Sequence, residues 1–130
     1  MGLDVEVIGV SDLPEDTVRR LSALALASAA VHEGHLAVEF VAAERIAALN
    51  EAHRGVTGPT DVLSFPVDLD EAIGLPATER ELGDVVICPE FTVDEAEAVV
   101  HGVLHLVGMD HEADEGEMLA LQAQILSWAA

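Results

Sequence analysis

A chain of 130 residues that is 51% apolar is one domain's worth of sequence with enough hydrophobic surface for a packed core, which excludes a disordered chain. It carries 25 Asp and Glu against five Arg and no Lys, a formal net charge of −20. That balance excludes a broad basic surface of the kind that grips nucleic acid or an anionic membrane, and DNA is not an expected partner.

In chain order, residues 3–10 alternate acidic and β-branched side chains (Asp4, Val5, Glu6, Val7), the pattern of a half-buried strand. The same opening stretch, MGLDVEVIGV, has no basic segment followed by an apolar run, and no Ser or Thr where a myristoylation signal needs one. Asp12 and Glu15 have the spacing of a capping box, with Pro14 in the first turn of a helix predicted over 14–31. Val18, Leu21, Ala25 and Ser28 form its inward face. Its most apolar part, 21–31, is broken by serines and too short for a membrane span, so a soluble, cytoplasmic protein without a membrane partner is expected.

A second strand is predicted over 35–41, with His32 and His35 flanking the preceding turn, and a second helix over 42–54, with Ile46 and Leu49 turned inward. Residues 55–59 form a loop with two glycines, and 60–65 a short strand ended by Pro66. The segment 67–81, with Gly74 and Pro76, reads as an exposed, mobile connection. The apolar run 83–88 is the expected central strand, and Cys88, alone in the chain, is expected to be a buried strand residue in a reducing compartment. Helical periodicity returns over 92–107 and stops at Gly108. A last helix is predicted over 114–129, with Met118, Leu121, Ile125 and Trp128 as its buried stripe and the acids Glu112, Asp114, Glu115 and Glu117 solvated at its start.

The chemistry concentrates in HGVLHLVGMDH. His101 and His105 are four residues apart and share one helix face. Gly108 breaks the helix and lets His111 return toward the same point. Three neutral imidazoles occupy three corners of a tetrahedron and leave the fourth for water, the pattern of a catalytic rather than a structural zinc ion. Asp110, beside the third ligand, has three readings at this point: it orients a ligand, acts on the water, or caps the turn. The spacing equals that of a metalloprotease signature whose general base follows the first histidine. Here that position is Gly102, which moves no proton, and peptide hydrolysis is disfavoured. Arg54, closing a helix ahead of the glycine loop in an otherwise acidic chain, is a candidate for binding a phosphate and stabilising its transition-state charge, and equally a helix C-terminal cation. His53 beside it is expected on the surface, and Asp61 and Ser64 are expected to hold the loop.

HGVLHLVGMDH resembles the H-G-x-L-H-L-x-G-y-D-H signature of the YbeY family, rRNA maturation factors described as single-strand-specific endoribonucleases. GPTDVLSFP and LGDVVICPE resemble two further blocks of that family in the same order, and with LNEAHR the resemblance spans residues 46–112. It implies an α+β fold over one domain, residues 1–130, with a mixed four-stranded sheet, about four helices, and a metal site on the helix ending at Gly108. It also implies one Zn2+ on His101, His105 and His111, Arg54 in the active-site groove, and processing of the 3′ end of small-subunit rRNA with ribosome quality control. The implied partners are ribosomal RNA and the small subunit or its proteins. The alternatives are a non-catalytic zinc-containing assembly factor that binds a ribosomal protein through its acidic face, and a hydrolase of another class such as a peptidase. Three features depart from the family pattern: the uncharged loop Gly55-Val-Thr-Gly, a connection of only twelve residues, 89–100, where family members fit a longer helical excursion, and the charge of −20.

Overall fold

The computed structural model describes residues 3–67, 80–110 and 112–129. Its elements are β1 (Leu3–Ile8), α1 (Glu15–Ser28), β2 (Gly34–Phe40), α2 (Ala43–Arg54), β3 (Val62–Pro66), β4 (Glu81–Ile87), a 3-10 turn at Pro89–Phe91, α3 (Glu95–Leu106) and α4 (Glu117–Ala129). The four strands form one sheet in the order β1-β2-β4-β3. β1, β2 and β4 run parallel and β3 runs antiparallel to β4 at the edge. The sheet is mixed and the fold α+β, as the resemblance implied. None of the helices is long and apolar enough to cross a membrane among the described residues.

Strand alternation divides the core in two. Leu36, Val38, Val85 and Ile87 face a large cluster with Leu21 and Leu26 of α1, Val99, Val103 and Leu104 of α3, and Met118 and Ile125 of α4. Val86, Cys88 and Leu63 face the other way, under Ile46 of α2, with Leu49 and Phe65 packed at the margin. Full burial of each such side chain contributes about 1.5–3 kcal/mol. Three helices thus cover one face of the sheet and α2 covers part of the other. Cys88 is buried and unbonded to another cysteine, as expected, but it follows β4, which ends at Ile87, and precedes the 3-10 turn.

Several expectations shift. β1 ends at Ile8, and Val10 is solvent-exposed. α1 starts at Glu15 with Pro14 as its N-cap and no side-chain cap, so the Asp12–Glu15 capping box does not form. Ser11 Oγ instead accepts the Leu13 N–H at 3.0 Å, which turns the chain before the helix. Ser22 and Leu26 are buried where Ser28 was expected, and Ser28 is exposed. Pro66 does not end β3 but pairs with Gly83, as the missing N–H allows on an edge strand. β4 begins at Glu81 rather than 83, and the rest of the expected 67–81 connection, residues 68–79, lies outside the described residues. Trp128 is half-exposed; the buried stripe of α4 is Met118, Gln122 and Ile125.

His35 lies in β2, as the strand expected over 35–41 placed it. A β-bulge at Leu82 shifts the β2–β4 register after His35, so Glu81 and Asp84 come to share the sheet face left open beside α2. His35 lies directly across from Asp4 on one side and Glu81 on the other. Its Nδ1 is 2.8 Å from Glu81 Oε2, and its Nε2 is 3.2 Å from Glu6 Oε1 and 3.8 Å from Asp4 Oδ2. The hydrogen bond to Glu81, followed by the fields of Glu81, Asp4 and Glu6, raises the His35 pKa above 6.5 against the opposing effect of burial. Asp84 on the same face is also raised, first by burial and then by Glu81 and Glu6. A group raised in the folded state stabilises fully below its unfolded pKa and loses that contribution as pH rises through the folded value. The stability advantage of the wild type over His35→Gln, measured by urea denaturation, is therefore expected to be largest below pH 6.5 and to shrink as the pH is raised above it. A gap that is flat or widens with pH contradicts the ion-pair account.

Candidate metal centre

α3 lies against β3 and β4 at Gly102. A Cβ at this position would stand 2.5 Å from Val85 Cγ1 and 2.9 Å from Val62 Cγ2, both on stiff β-branched side chains. The helix backbone occupies the space a side chain would need. Ser64 Oγ of β3 donates to the Gly102 carbonyl at 2.6 Å and ties the edge strand to the same turn. Gly102 therefore lacks the protease glutamate for a reason beyond chemistry: no side chain fits there while the helix holds this position. Burying Gly102 turns His101 and His105, on either side of it, toward the margin of the sheet, where both are half-buried.

The end of α3 is a Schellman motif. Gly108 N–H donates to His105 O at 3.0 Å and Met109 N–H to Leu104 O at 3.1 Å, with Gly108 at φ +100°. The reversal brings the Met109 carbonyl to 2.9 Å from His105 Nδ1. A carbonyl only accepts, so His105 Nδ1 carries the proton and the neutral ring keeps a lone pair on Nε2. His101 Nδ1 is held in the same way, 2.8 Å from Oε1 of the buried Gln122 on α4. The two Nε2 atoms converge to 3.1 Å. Two nitrogens about 2.05 Å from one zinc ion at a tetrahedral angle stand roughly 3.3 Å apart, so the pair suits a shared cation. Among the described residues there is no group of three or more His, Cys, Asp or Glu arranged to hold a metal. His111, the third ligand expected from the sequence, lies outside the described residues.

The histidine pair opens on a cleft of about 870 Å³, with His53, Arg54, Asp61, Ser64, Asp110 and Glu112 also among its lining residues. Arg54 is the last residue of α2, where Gly55 in the left-handed conformation (φ 68°) terminates the helix. The loop that follows is braced by Asn50, which sequence reasoning passed over. Asn50 is 2% exposed and its Nδ2 donates to the Gly58 carbonyl at 2.9 Å. His53 is exposed, as expected, though its ring also meets Phe65 edge-on at 4.9 Å. Asp61 holds the loop: its Oδ1 accepts the Val62 N–H at 2.8 Å, and its carbonyl accepts the Cys88 N–H. Asp110 Oδ1 accepts the Glu112 N–H at 2.9 Å, a turn-holding contact. Gln122 is the functional candidate most clearly missed. Its signal was its place four residues after Met118 and three before Ile125, in register with a buried stripe.

A paired-histidine helix closed by a glycine turn, set against a mixed sheet and facing an arginine-bearing cleft, is a candidate hydrolytic centre on an α+β scaffold. The model of the family "Endoribonuclease YbeY" matches residues 8–129. Curated relatives called endoribonuclease YbeY include that of Micrococcus luteus, 37% identical over 95% of this chain and 90% of the relative. Those of Acidothermus cellulolyticus and Streptomyces coelicolor are 39% and 35% identical over 99% and 100% of this chain, covering 87% and 92% of theirs. The solution structure of TM1509 from Thermotoga maritima shares the fold with a TM-score of 0.54 and 24% identity, over 96% of this chain and 88% of that one. The chain belongs to the endoribonuclease YbeY family. The Micrococcus luteus alignment runs over 142 positions but takes in about 124 of the 130 residues here, so roughly 18 positions of that relative (142 less 124) have no counterpart in this chain.

Gly102→Ala tests the close contact. In an open helix this change stabilises by about 1 kcal/mol. Here the added methyl overpacks against Val85 and Val62, and a net loss of about 1–3 kcal/mol is expected in urea denaturation. A gain in stability contradicts the packing account.

Proposed function

We propose that the chain is a zinc-dependent, single-strand-specific endoribonuclease that matures ribosomal RNA, acting on the 3′ end of the small-subunit rRNA and in ribosome quality control, in the cytoplasm. Its family makes it a hydrolytic nuclease. The observation that carries the zinc reading is the convergence of two Nε2 lone pairs, each fixed by a carbonyl on the far side of its ring, at the edge of a cleft that Arg54 also lines. His101, His105 and His111 would hold the ion. When bound, zinc supplies Lewis acidity and lowers the pKa of water toward neutrality.

The chain's own residues do the rest. Arg54 presents a planar guanidinium to the scissile phosphate and stabilises the charge that builds on its non-bridging oxygens as the P–O bond breaks. Asp110 keeps the turn after the Schellman motif in place through its bond to Glu112 N–H, which fixes the chain on either side of position 111. The cleft's electrostatics favour a cation as part of the working site. Asp61, Asp110 and Glu112 line it against the single guanidinium of Arg54 among the described residues, and a phosphodiester meets repulsion there without a further positive charge. The substrate class is single-stranded RNA, and the partners are ribosomal RNA and the small subunit.

Two variants separate the roles. His105→Ala is expected to lose both the zinc, measured as metal per chain, and cleavage of a single-stranded RNA oligonucleotide. Arg54→Ala is expected to keep the zinc and lose about 100- to 1,000-fold in cleavage rate. Full cleavage by metal-free His105→Ala refutes the zinc mechanism, and full cleavage by Arg54→Ala refutes the role of the arginine.

A further inference from the structure

α4 turns Met118, Gln122 and Ile125 toward the core, the i, i+4, i+7 stripe of an amphipathic helix. Met118 and Ile125 are fully buried and Gln122 is 6% exposed. A buried amide is unfavourable unless hydrogen-bonded, and leucine would serve the packing better. The bond given to Gln122 runs from His101, 21 residues earlier on a different helix, at 2.8 Å. The Nδ1 atoms of the two histidines are therefore held by different means. His105 leans on a backbone carbonyl of its own helix end, whereas His101 leans on a side chain of α4.

We propose that Gln122 is a positioning residue of the metal centre: its side-chain carbonyl holds the His101 ring with the proton on Nδ1 and Nε2 turned toward His105 and the cleft, and so makes α4 part of the site. A metal-binding histidine commonly donates its second N–H to a carboxylate, a backbone carbonyl or water, and such partners change metal affinity when lost. A neutral amide in this place polarises the imidazole less than a carboxylate does. Gln122 thus sets the affinity of the site below the value that glutamate at the same position gives. The metal half of this inference rests on the zinc reading above; the tautomer half does not.

The tautomer is read first, without metal, by long-range 1H–15N correlation of the imidazoles in the full chain. In the wild type His101 is expected to carry its proton on Nδ1. In Gln122→Leu, which suits the apolar stripe and is expected to fold at least as stably, His101 is expected to shift toward the Nε2–H form while His105 stays unchanged. Zinc affinity by chelator competition is then expected to fall 10- to 100-fold in Gln122→Leu and to be restored or exceeded in Gln122→Glu. A merely structural glutamine would change the thermal midpoint and leave the tautomer and the rescue unmoved. Two results overturn the proposal: a wild-type His101 protonated on Nε2, meaning that the amide is turned the other way, or a Gln122→Leu variant with unchanged tautomer and zinc affinity. A wild type that binds no zinc at all refutes the zinc reading and the metal half of this one, while the tautomer measurement still decides the role of Gln122.

Discussion

The site depends on one contact, that of the α3 backbone with the sheet at Gly102. Helices usually stand off a sheet by the length of their side chains. Here Val85 and Val62 reach the helix backbone itself, and the Ser64 hydroxyl takes the Gly102 carbonyl at 2.6 Å. The contact fixes the rotation of α3 about its axis and sends His101 and His105, one residue before and three after, to the same side. It also makes β3, an edge strand, one wall of the cleft, with Ser64 and Phe65 among its lining residues. Once the rotation is set, the Schellman turn at Gly108 and the carbonyl of Met109 complete the orientation of His105. A side chain at position 102 would push the helix away, and wall and ligands would part together.

Much of this was legible in the sequence because it rests on local rules. Strand alternation in β1, the apolar run of β4, the four-residue spacing of the histidines and the helix-ending Gly108 all act within a few residues of one another. What was not legible depends on contacts far apart in the chain. His35 was expected in the second strand, but its ion pairs were not, because its acidic neighbours, Asp4, Glu6 and Glu81, come from two other strands. Trp128 read as core because a large aromatic at helical spacing normally is, yet the stripe of α4 is rotated to include Gln122, whose polar partner lies on α3. The capping box at Asp12 and Glu15 had the right spacing but lost to Pro14, whose backbone (ψ 145°) starts the helix two residues later than the box required. Gly102 was read for what it removes, a general base; its packing role needed the sheet.

The acidity of the chain bears on how RNA reaches such a site. Part of the charge is spent where it does no harm to a cleft: Asp4, Glu6, Glu81 and Asp84 sit on the half of the sheet that α2 leaves open, with His35 among them. The cleft still carries more carboxylates than cations among the described residues. A strongly basic nuclease draws its substrate by releasing counterions, with an affinity that falls by about 0.7 log units per log unit of salt for each phosphate contact on a single strand. The one guanidinium among the described lining residues gives few such contacts, so the cleft by itself offers little to draw in a free strand.

The passage from β4 to α3 is short, and the fold shows why the helix that carries His101 and His105 is held in place without more. The chain leaves β4 at Ile87, passes through the 3-10 turn Pro89–Phe91, and enters α3 at Glu95. The turn is closed locally: the Cys88 carbonyl accepts both the Phe91 N–H and the Thr92 hydroxyl, and Asp94 caps the helix through the Glu97 N–H. Ser11, in the connection from β1 to α1, adds a bond to Glu95. None of these bonds positions the histidines. They are placed one and a half turns further on, by Gly102 against Val85 and by Ser64, so the length of the connection and the geometry of the ligands are set by different contacts. The connection itself is exposed, with Phe91 half-exposed and Val93 fully in solvent. The register of α3 on the sheet is decided downstream of it, at Gly102.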